Sequence, residues 1–223
     1  MPIRPPQRCR VLAVVPALLL CAAPIGTRTG GSAALGPHPV ATPATLDTAV
    51  FAGGCFWGIE AVFEHLKGVR SAVSGYAGGS IVSPSYEQVS SGTTGHAESV
   101  QVSYDPAVIS YDELLQVFFT VAHDPTQLNR QGPDEGTQYR SAVFFRGSAQ
   151  REAAERYVAA LVRTKAYPRP VVTQIVALAA FYPAEAYHQN YLAHHPDEPY
   201  ITSNDAPKLE HLRRAFPAWY RKR

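Results

Sequence analysis

The chain has 223 residues, enough for one domain of ordinary size or at most two small ones. Hydrophobic residues make up 46% and charged residues 17%, with 12 Tyr, 9 Phe and 2 Trp, a composition that excludes a disordered or fibrous protein. Four of the 20 basic side chains and none of the 18 acidic ones lie in residues 1–46, which leaves 16 against 18 and a net charge of −2 for the rest; no basic stripe invites nucleic acid.

Arg4, Arg8 and Arg10 precede the apolar run Val11 to Ala23, and small or turn-forming residues follow up to Ala34. A basic start, a short apolar stretch and a small-residue exit predict a secretory signal over residues 1–34, with a run too short to span a membrane comfortably. The expectation is export to a bacterial periplasm or beyond, with no stable membrane association after cleavage. An unstructured extension or an uncleaved anchoring helix are the alternatives, and Cys21 lacks the small preceding residue that lipid attachment needs. Residues 35–46, with Gly36, Pro37, Pro39 and Pro43, read as a flexible lead-in to one domain over 47–223.

Cys9 and Cys21 fall in the leader, so the exported chain keeps one thiol, Cys55, and has neither an internal disulfide nor a thiolate cluster. The segment from Ala49 reads as a short buried strand, a Gly53-Gly54 turn and a helix over Trp57 to Lys67, which sets Cys55 at a helix N-terminus. There the unpaired N–H groups and the positive dipole end predict a lowered thiol pKa. A small hydrophobe packed under the helix is the competing reading. Phe56 and Trp57 beside the cysteine suggest a nucleophile with an apolar pocket.

Further along, Glu98 to Tyr104 alternates as a half-buried strand with Glu98, Val100, Val102 and Tyr104 on one face. A carboxyl on the apolar face loses hydration and stays protonated towards neutral pH; a strand-end glutamate turned to solvent is the alternative. Ser110-Tyr111-Asp112-Glu113 has the pattern of a capping box opening a helix. Ser141 to Phe145 reads as a strand, Ser148 as the cap of a helix to Thr164, Val171 to Leu178 as a strand, and Pro183 to Ala193 as a helix. Few crossovers are long enough for an all-parallel sheet. The fold class expected is α+β, a single two-layer α/β sandwich domain with a mixed sheet. None of the eight histidines has H-x-x-x-H or H-E-x-x-H spacing, so no metal is expected.

Gly54-Cys55-Phe56-Trp57-Gly58 resembles the active-site signature of the class A peptide methionine sulfoxide reductases. The likeness continues in family order through Gly95 to Glu98, Tyr104-Asp105-Pro106, His123 to Asp134, Gly136 to Ser141, Phe181 to Glu185 and Tyr187-His188-Gln189. It implies a ferredoxin-like plait with extensions, and reduction of methionine S-sulfoxide, free or in oxidised proteins, through a Cys55 sulfenic acid. By resemblance Glu98 protonates the sulfoxide oxygen, Tyr86 and Tyr139 donate hydrogen bonds to it, and Phe56 and Trp57 wall the methyl pocket. Asp134 accepts from the methionine backbone amide and His188 lies near the substrate. For Asp134 and His188, a turn aspartate and a surface or satisfied histidine stand as the alternatives.

Many family members carry further cysteines shortly after the Tyr-His-Gln segment, whereas this chain has none from 56 to 223. Recycling is therefore expected to fall to an external thiol, a thioredoxin-like protein or a small molecule, with no bound cofactor and a monomeric enzyme. The one methionine is Met1, so the mature chain has none to lose to oxidation. A cysteine-dependent hydrolase and a non-catalytic methionine-binding module remain as alternatives.

Overall fold

The computed structural model describes residues 45–223; the predicted leader and all but the end of the lead-in lie outside the described residues. In chain order the elements are β1 (Asp47–Gly53), α1 (Phe56–Glu64), β2 (Val69–Ala77), α2 (Tyr86–Ser90), β3 (Ala97–Tyr104), α3 (Tyr111–Val117), β4 (Arg130–Gln131), β5 (Asp134–Glu135), β6 (Ser141–Phe145), α4 (Gly147–Arg163), β7 (Gln174–Ala177), β8 (Phe181–Pro183), α5 (Tyr191–His194) and α6 (Ala206–Ala215). Wide π-type turns extend α3 over Phe118–Ala122 and lead into α6 over Ile201–Asp205.

Among the described residues, six strands form one sheet in the order β7-β6-β1-β3-β2-β8, and β4 and β5 pair separately. All neighbours in the large sheet are antiparallel except β6 and β7, so the sheet is mixed. Its four central strands, with α1 between β1 and β2 and α3 between β3 and β6, have the connectivity of a ferredoxin-like plait, and β7 and β8 are extensions at the edges.

The alternation read in β3 holds: Glu98, Val100, Val102 and Tyr104 are buried, facing the layer of α1 and α3. Phe51 of β1 stacks between Phe63 at 5.1 Å and Phe118 at 4.9 Å, a core whose large side chains each contribute about 1.5–3 kcal/mol on burial. A smaller cluster of Val50, Ala52, Ala142 and Phe144 covers the other face.

Ser110 and Glu113 form the reciprocal capping box at the start of α3. The start of α4 differs from expectation. Arg146, not Ser148, is the N-cap, and the Gln150 side chain turns back to accept from the Arg146 N–H at 2.8 Å. The predicted helix over Pro183 to Ala193 is instead strand β8, a 3₁₀ turn at Ala186–His188 and the short α5, with Asn190 left-handed between the last two. Side chains set this break. Gln189 donates to the carbonyls of Ser74 and Ala184 and accepts from the Ser74 N–H, which ties the segment to the edge of β2. The Asn190 N–H donates to buried Glu60 of α1 at 3.1 Å, and these bonds compete successfully with a helical ladder.

Candidate active site

The polypeptide reverses from β1 into α1 through Gly53 and Gly54. Gly54 has φ of +100°, and a Cβ there would lie 2.5 Å from the Gln131 side chain, so the turn accepts only glycine. Cys55 follows as the N-cap of α1, 8% exposed and unpaired.

Its thiol departs from the expectation of a lowered pKa. Burial raises it well above the usual cysteine value, the carboxyls of Glu98 and Asp205 push the same way, and the Trp57 N–H and the Lys208 ammonium only partly oppose them. Glu98 is also buried, and its Oε2 accepts from the Phe56 N–H at 3.1 Å, the first amide of α1. Burial lifts this carboxyl to about 8, against the pull of that hydrogen bond, so it holds its proton at neutral pH.

Two tyrosines complete the polar side. Ser85 caps α2 through a reciprocal box with Gln88, which starts the helix at Tyr86. Glu185 anchors it further, accepting from the Tyr86 N–H and the Tyr76 hydroxyl, each at 2.9 Å. Tyr139 ends a 3₁₀ turn just before β6. Burial raises both the Tyr86 and Tyr139 hydroxyls, keeping each a proton donor.

Trp57 supplies the apolar side. Its ring stacks on Tyr191 at 3.7 Å and 8°, and its Nε1–H donates to Nδ1 of His188 at 3.1 Å. That bond makes Nδ1 the acceptor and assigns the proton of neutral His188 to Nε2, in a ring whose pKa burial lowers.

A cavity of about 240 Å³ is lined by Cys55, Phe56, Trp57, Tyr86, Glu98, Asp134 and Tyr139, joined by Glu198 and Tyr200. Seven of the eight residues singled out in the sequence thus converge on one space. His188 does not line it; it stands buried behind the wall, packed against Phe56, Trp57 and Tyr86 and holding the indole. Tyr200 and Glu198 were missed, because their flank Pro196-Asp197-Glu198-Pro199-Tyr200 reads as an ordinary polar loop. The Tyr200 hydroxyl donates to Asp134 Oδ2, and its ring meets Trp57 edge-on at 6.0 Å.

A wider groove of about 420 Å³, between Leu161 and Val171, has no cysteine or carboxyl in its lining. Among the described residues no three His, Cys, Asp or Glu side chains gather as metal ligands.

Residues 47–219 match the family model described as peptide methionine sulfoxide reductase. The chain is 55% identical over 174 residues to peptide methionine sulfoxide reductase MsrA 2 of Mesorhizobium japonicum, covering 78% of this chain and 89% of that one. It is 49% identical to the MsrA of Thermus thermophilus, over 78% and 98% of the two chains. Among solved structures it resembles Mxr1 from Saccharomyces cerevisiae in reduced form, at 38% identity and a TM-score of 0.65 over 70% of this chain and 90% of that one. Methionine sulfoxide reductase A of Corynebacterium diphtheriae matches at 37% identity and a TM-score of 0.61 over 72% and 82%.

Proposed function

The chain belongs to the class A peptide methionine sulfoxide reductases and reduces methionine sulfoxide at the expense of thiols, and we propose that Cys55 is the attacking sulfur and Glu98 the proton donor of that reaction. The observation that carries this reading is the shared cavity: a lone thiol, a carboxyl held protonated by burial, two hydroxyls and an indole wall surround one space.

A sulfoxide has an electrophilic sulfur and a polar oxygen. The methyl group seats against Phe56 and Trp57, and the oxygen faces Glu98, Tyr86 and Tyr139, whose O–H groups stabilise the charge that builds on it. Glu98 passes its proton to the oxygen, and the Cys55 sulfur takes up the oxygen as the bond to the methionine sulfur breaks. The thiol proton of Cys55 restores the Glu98 carboxyl. Methionine leaves, and Cys55 is left as the sulfenic acid, so atoms and the two transferred electrons balance. Asp134, oriented by Tyr200, accepts the substrate's backbone N–H. The S epimer is the substrate that the family resemblance implies.

Because no other cysteine occurs between 56 and 223, the oxidised enzyme rests at the sulfenic acid until an outside thiol arrives, a thioredoxin-like protein or a small molecule. The basic, then apolar leader supports export to a periplasm, where the domain over 47–223 repairs oxidised proteins as a monomer.

Enzyme mixed with each epimer in the absence of reductant tests the reading. One methionine per enzyme from the S epimer, with one oxygen added at Cys55 by mass spectrometry, is expected, and Cys55→Ser should give neither. Acylation of Cys55 by an ester, or binding without methionine release, would replace the proposal with a hydrolase or a recognition module.

A further inference from the structure

Cys55 lines two cavities. Beyond Tyr200 and Asp134, which border the substrate cavity, lies a second cavity of about 110 Å³ that also opens onto Cys55 and is bounded by Gln131, Asn204 and Lys208. With each liquid water occupying about 30 Å³, that space holds three or four waters or a molecule of the size of a mercaptoacid.

Its polar groups are mostly committed. Both ends of the Gln131 amide are used on the backbone of Asp124, and the Asn204 amide nitrogen donates to the Tyr200 carbonyl. Lys208 is different. Its Nζ donates to Asp205 Oδ1 at 3.0 Å, its partner among the described residues, which leaves N–H groups for a guest. Among the described residues Lys208 is also the one cation lining either cavity, where the acidic residues are Asp134, Glu198 and the protonated Glu98.

The fold makes room for this pair at the expense of a side chain on α1. A Cβ at Gly58 would lie 2.1 Å from Asp205 Oδ1 and 2.9 Å from Lys208 Nζ, so the last glycine of the Gly-Cys-Phe-Trp-Gly segment is where the ammonium and carboxylate rest on the first turn of the helix.

Chemistry at sulfur gives the second opening a use. Displacement at a divalent sulfur is in line, with the incoming thiol opposite the leaving oxygen. The proposed reduction leaves the sulfenic oxygen on the substrate side, against Glu98, Tyr86 and Tyr139, and the second cavity is the other space that Cys55 lines, without those three groups. We propose that this cavity docks the regenerating reductant, a small thiol bearing a carboxylate, with Lys208 holding the carboxylate while the thiol sulfur meets Cys55 from behind. The inference rests on the sulfenic acid reading above.

The sulfur–sulfur bond forms as the sulfur–oxygen bond breaks, and the oxygen leaves as water with a proton from Glu98, which the incoming thiol's proton replaces. A second molecule of the same thiol attacks the mixed disulfide and releases the Cys55 thiol. Two thiols are oxidised to one disulfide, and the sulfenic acid is reduced by two electrons.

Turnover with saturating methionine sulfoxide is measured with 3-mercaptopropionate and with cysteamine, thiols of similar length and opposite charge. The quantity read is the ratio of their kcat/KM values, which a general loss of Cys55 reactivity does not move. Lys208→Met should lower the anionic preference by about ten-fold or more, the loss of one charge-assisted hydrogen bond. Asp205→Asn, which frees the ammonium, should raise it.

Opposite signs are not a result of misfolding. Ratios unchanged in both variants, or moving together, would overturn the proposal, as would Lys208→Met slowing only turnover supported by reduced thioredoxin, which would make the surface a protein contact. If enzyme without reductant releases no methionine, the sulfenic acid reading itself fails; release with flat ratios sinks the docking site alone.

Discussion

Replacing Glu98 by glutamine should make the protein more stable while disabling it. The carboxyl titrates at about 8 in the folded chain against an ordinary 4.5. An upward shift means that the folded state keeps a proton that the unfolded chain has already released, so stability is fully present below pH 4.5 and is lost as pH rises towards 8. At pH 7 the difference of 2.5 pH units from 4.5 corresponds to about 3 kcal/mol. Glutamine is the neutral near-isostere of the protonated acid and can still accept from the Phe56 N–H. Glu98→Gln should therefore melt roughly 6–12 °C above the wild type at pH 7, given about 2–4 °C per kcal/mol for a chain of this size. The gap should close near pH 4.5. Scanning calorimetry of both proteins across this range measures it, and single-turnover release of methionine from the variant should fall by about 10²-fold or more with the proton donor gone. A melting difference that does not change with pH, or a wild type as stable as the variant at pH 7, would refute the claim that burial keeps this acid protonated.

His123 should show the opposite dependence. It is buried, with Nε2 bonded to Ser141 and Nδ1 at the Phe118 carbonyl, and burial lowers it to about 4 from 6.5. A depressed imidazole loses stability as pH falls through that window, by about 3 kcal/mol in all, so the urea midpoints of wild type and His123→Gln should converge on acidification; parallel curves would contradict this. Tyr200→Phe removes the donor to Asp134 and should raise KM for a sulfoxide peptide about ten-fold while leaving the saturating single-turnover rate nearly unchanged; a fall in rate with constant KM would reverse the assignment. Glu185→Ala releases the Tyr86 N–H and should lower the saturating rate by about ten- to a hundred-fold with little change in KM, and full activity would show that Glu185 does not position Tyr86.

What could be read from the sequence, and what could not, follows from how far the physics acts along the chain. The alternation from Glu98 to Tyr104 placed a carboxyl on the apolar face of a strand, and β3 does bury it. The Ser110 box, a contact over three residues, was equally legible. The break at Asn190 was not, because Glu60 lies 130 residues away and Ser74 lies 115 residues from Gln189. Tyr200, Asp205 and Lys208 escaped for the same reason. Nothing in their flanks marks them, and only the packing of the C-terminal helix on α1 brings them to Cys55. Gly58 was the one local trace, a glycine inside a helix where propensity disfavours it by about 1 kcal/mol against alanine, and its cause lies across the fold in the Asp205–Lys208 pair.

The thiol shows how magnitudes decide between opposing effects. A helix N-terminus favours an anion by about 0.3–1 kcal/mol at an exposed site, less than one pKa unit, whereas burial can shift an ionisable group by 3–5 units. Position on the helix alone therefore predicted the wrong direction for Cys55, whose neighbours Glu98 and Asp205 add to the desolvation. This has a chemical consequence for an enzyme with a single cysteine in its folded domain. Oxidants attack the thiolate, and a thiol held protonated resists them. In the mechanism we propose, what makes the sulfur reactive is the sulfoxide itself, which accepts the Glu98 proton and leaves that carboxyl as the base for the thiol. On that proposal nucleophile and acid are activated together by the substrate they act on, and a cavity that keeps both protonated until then directs the Cys55 thiol to methionine sulfoxide rather than to peroxide.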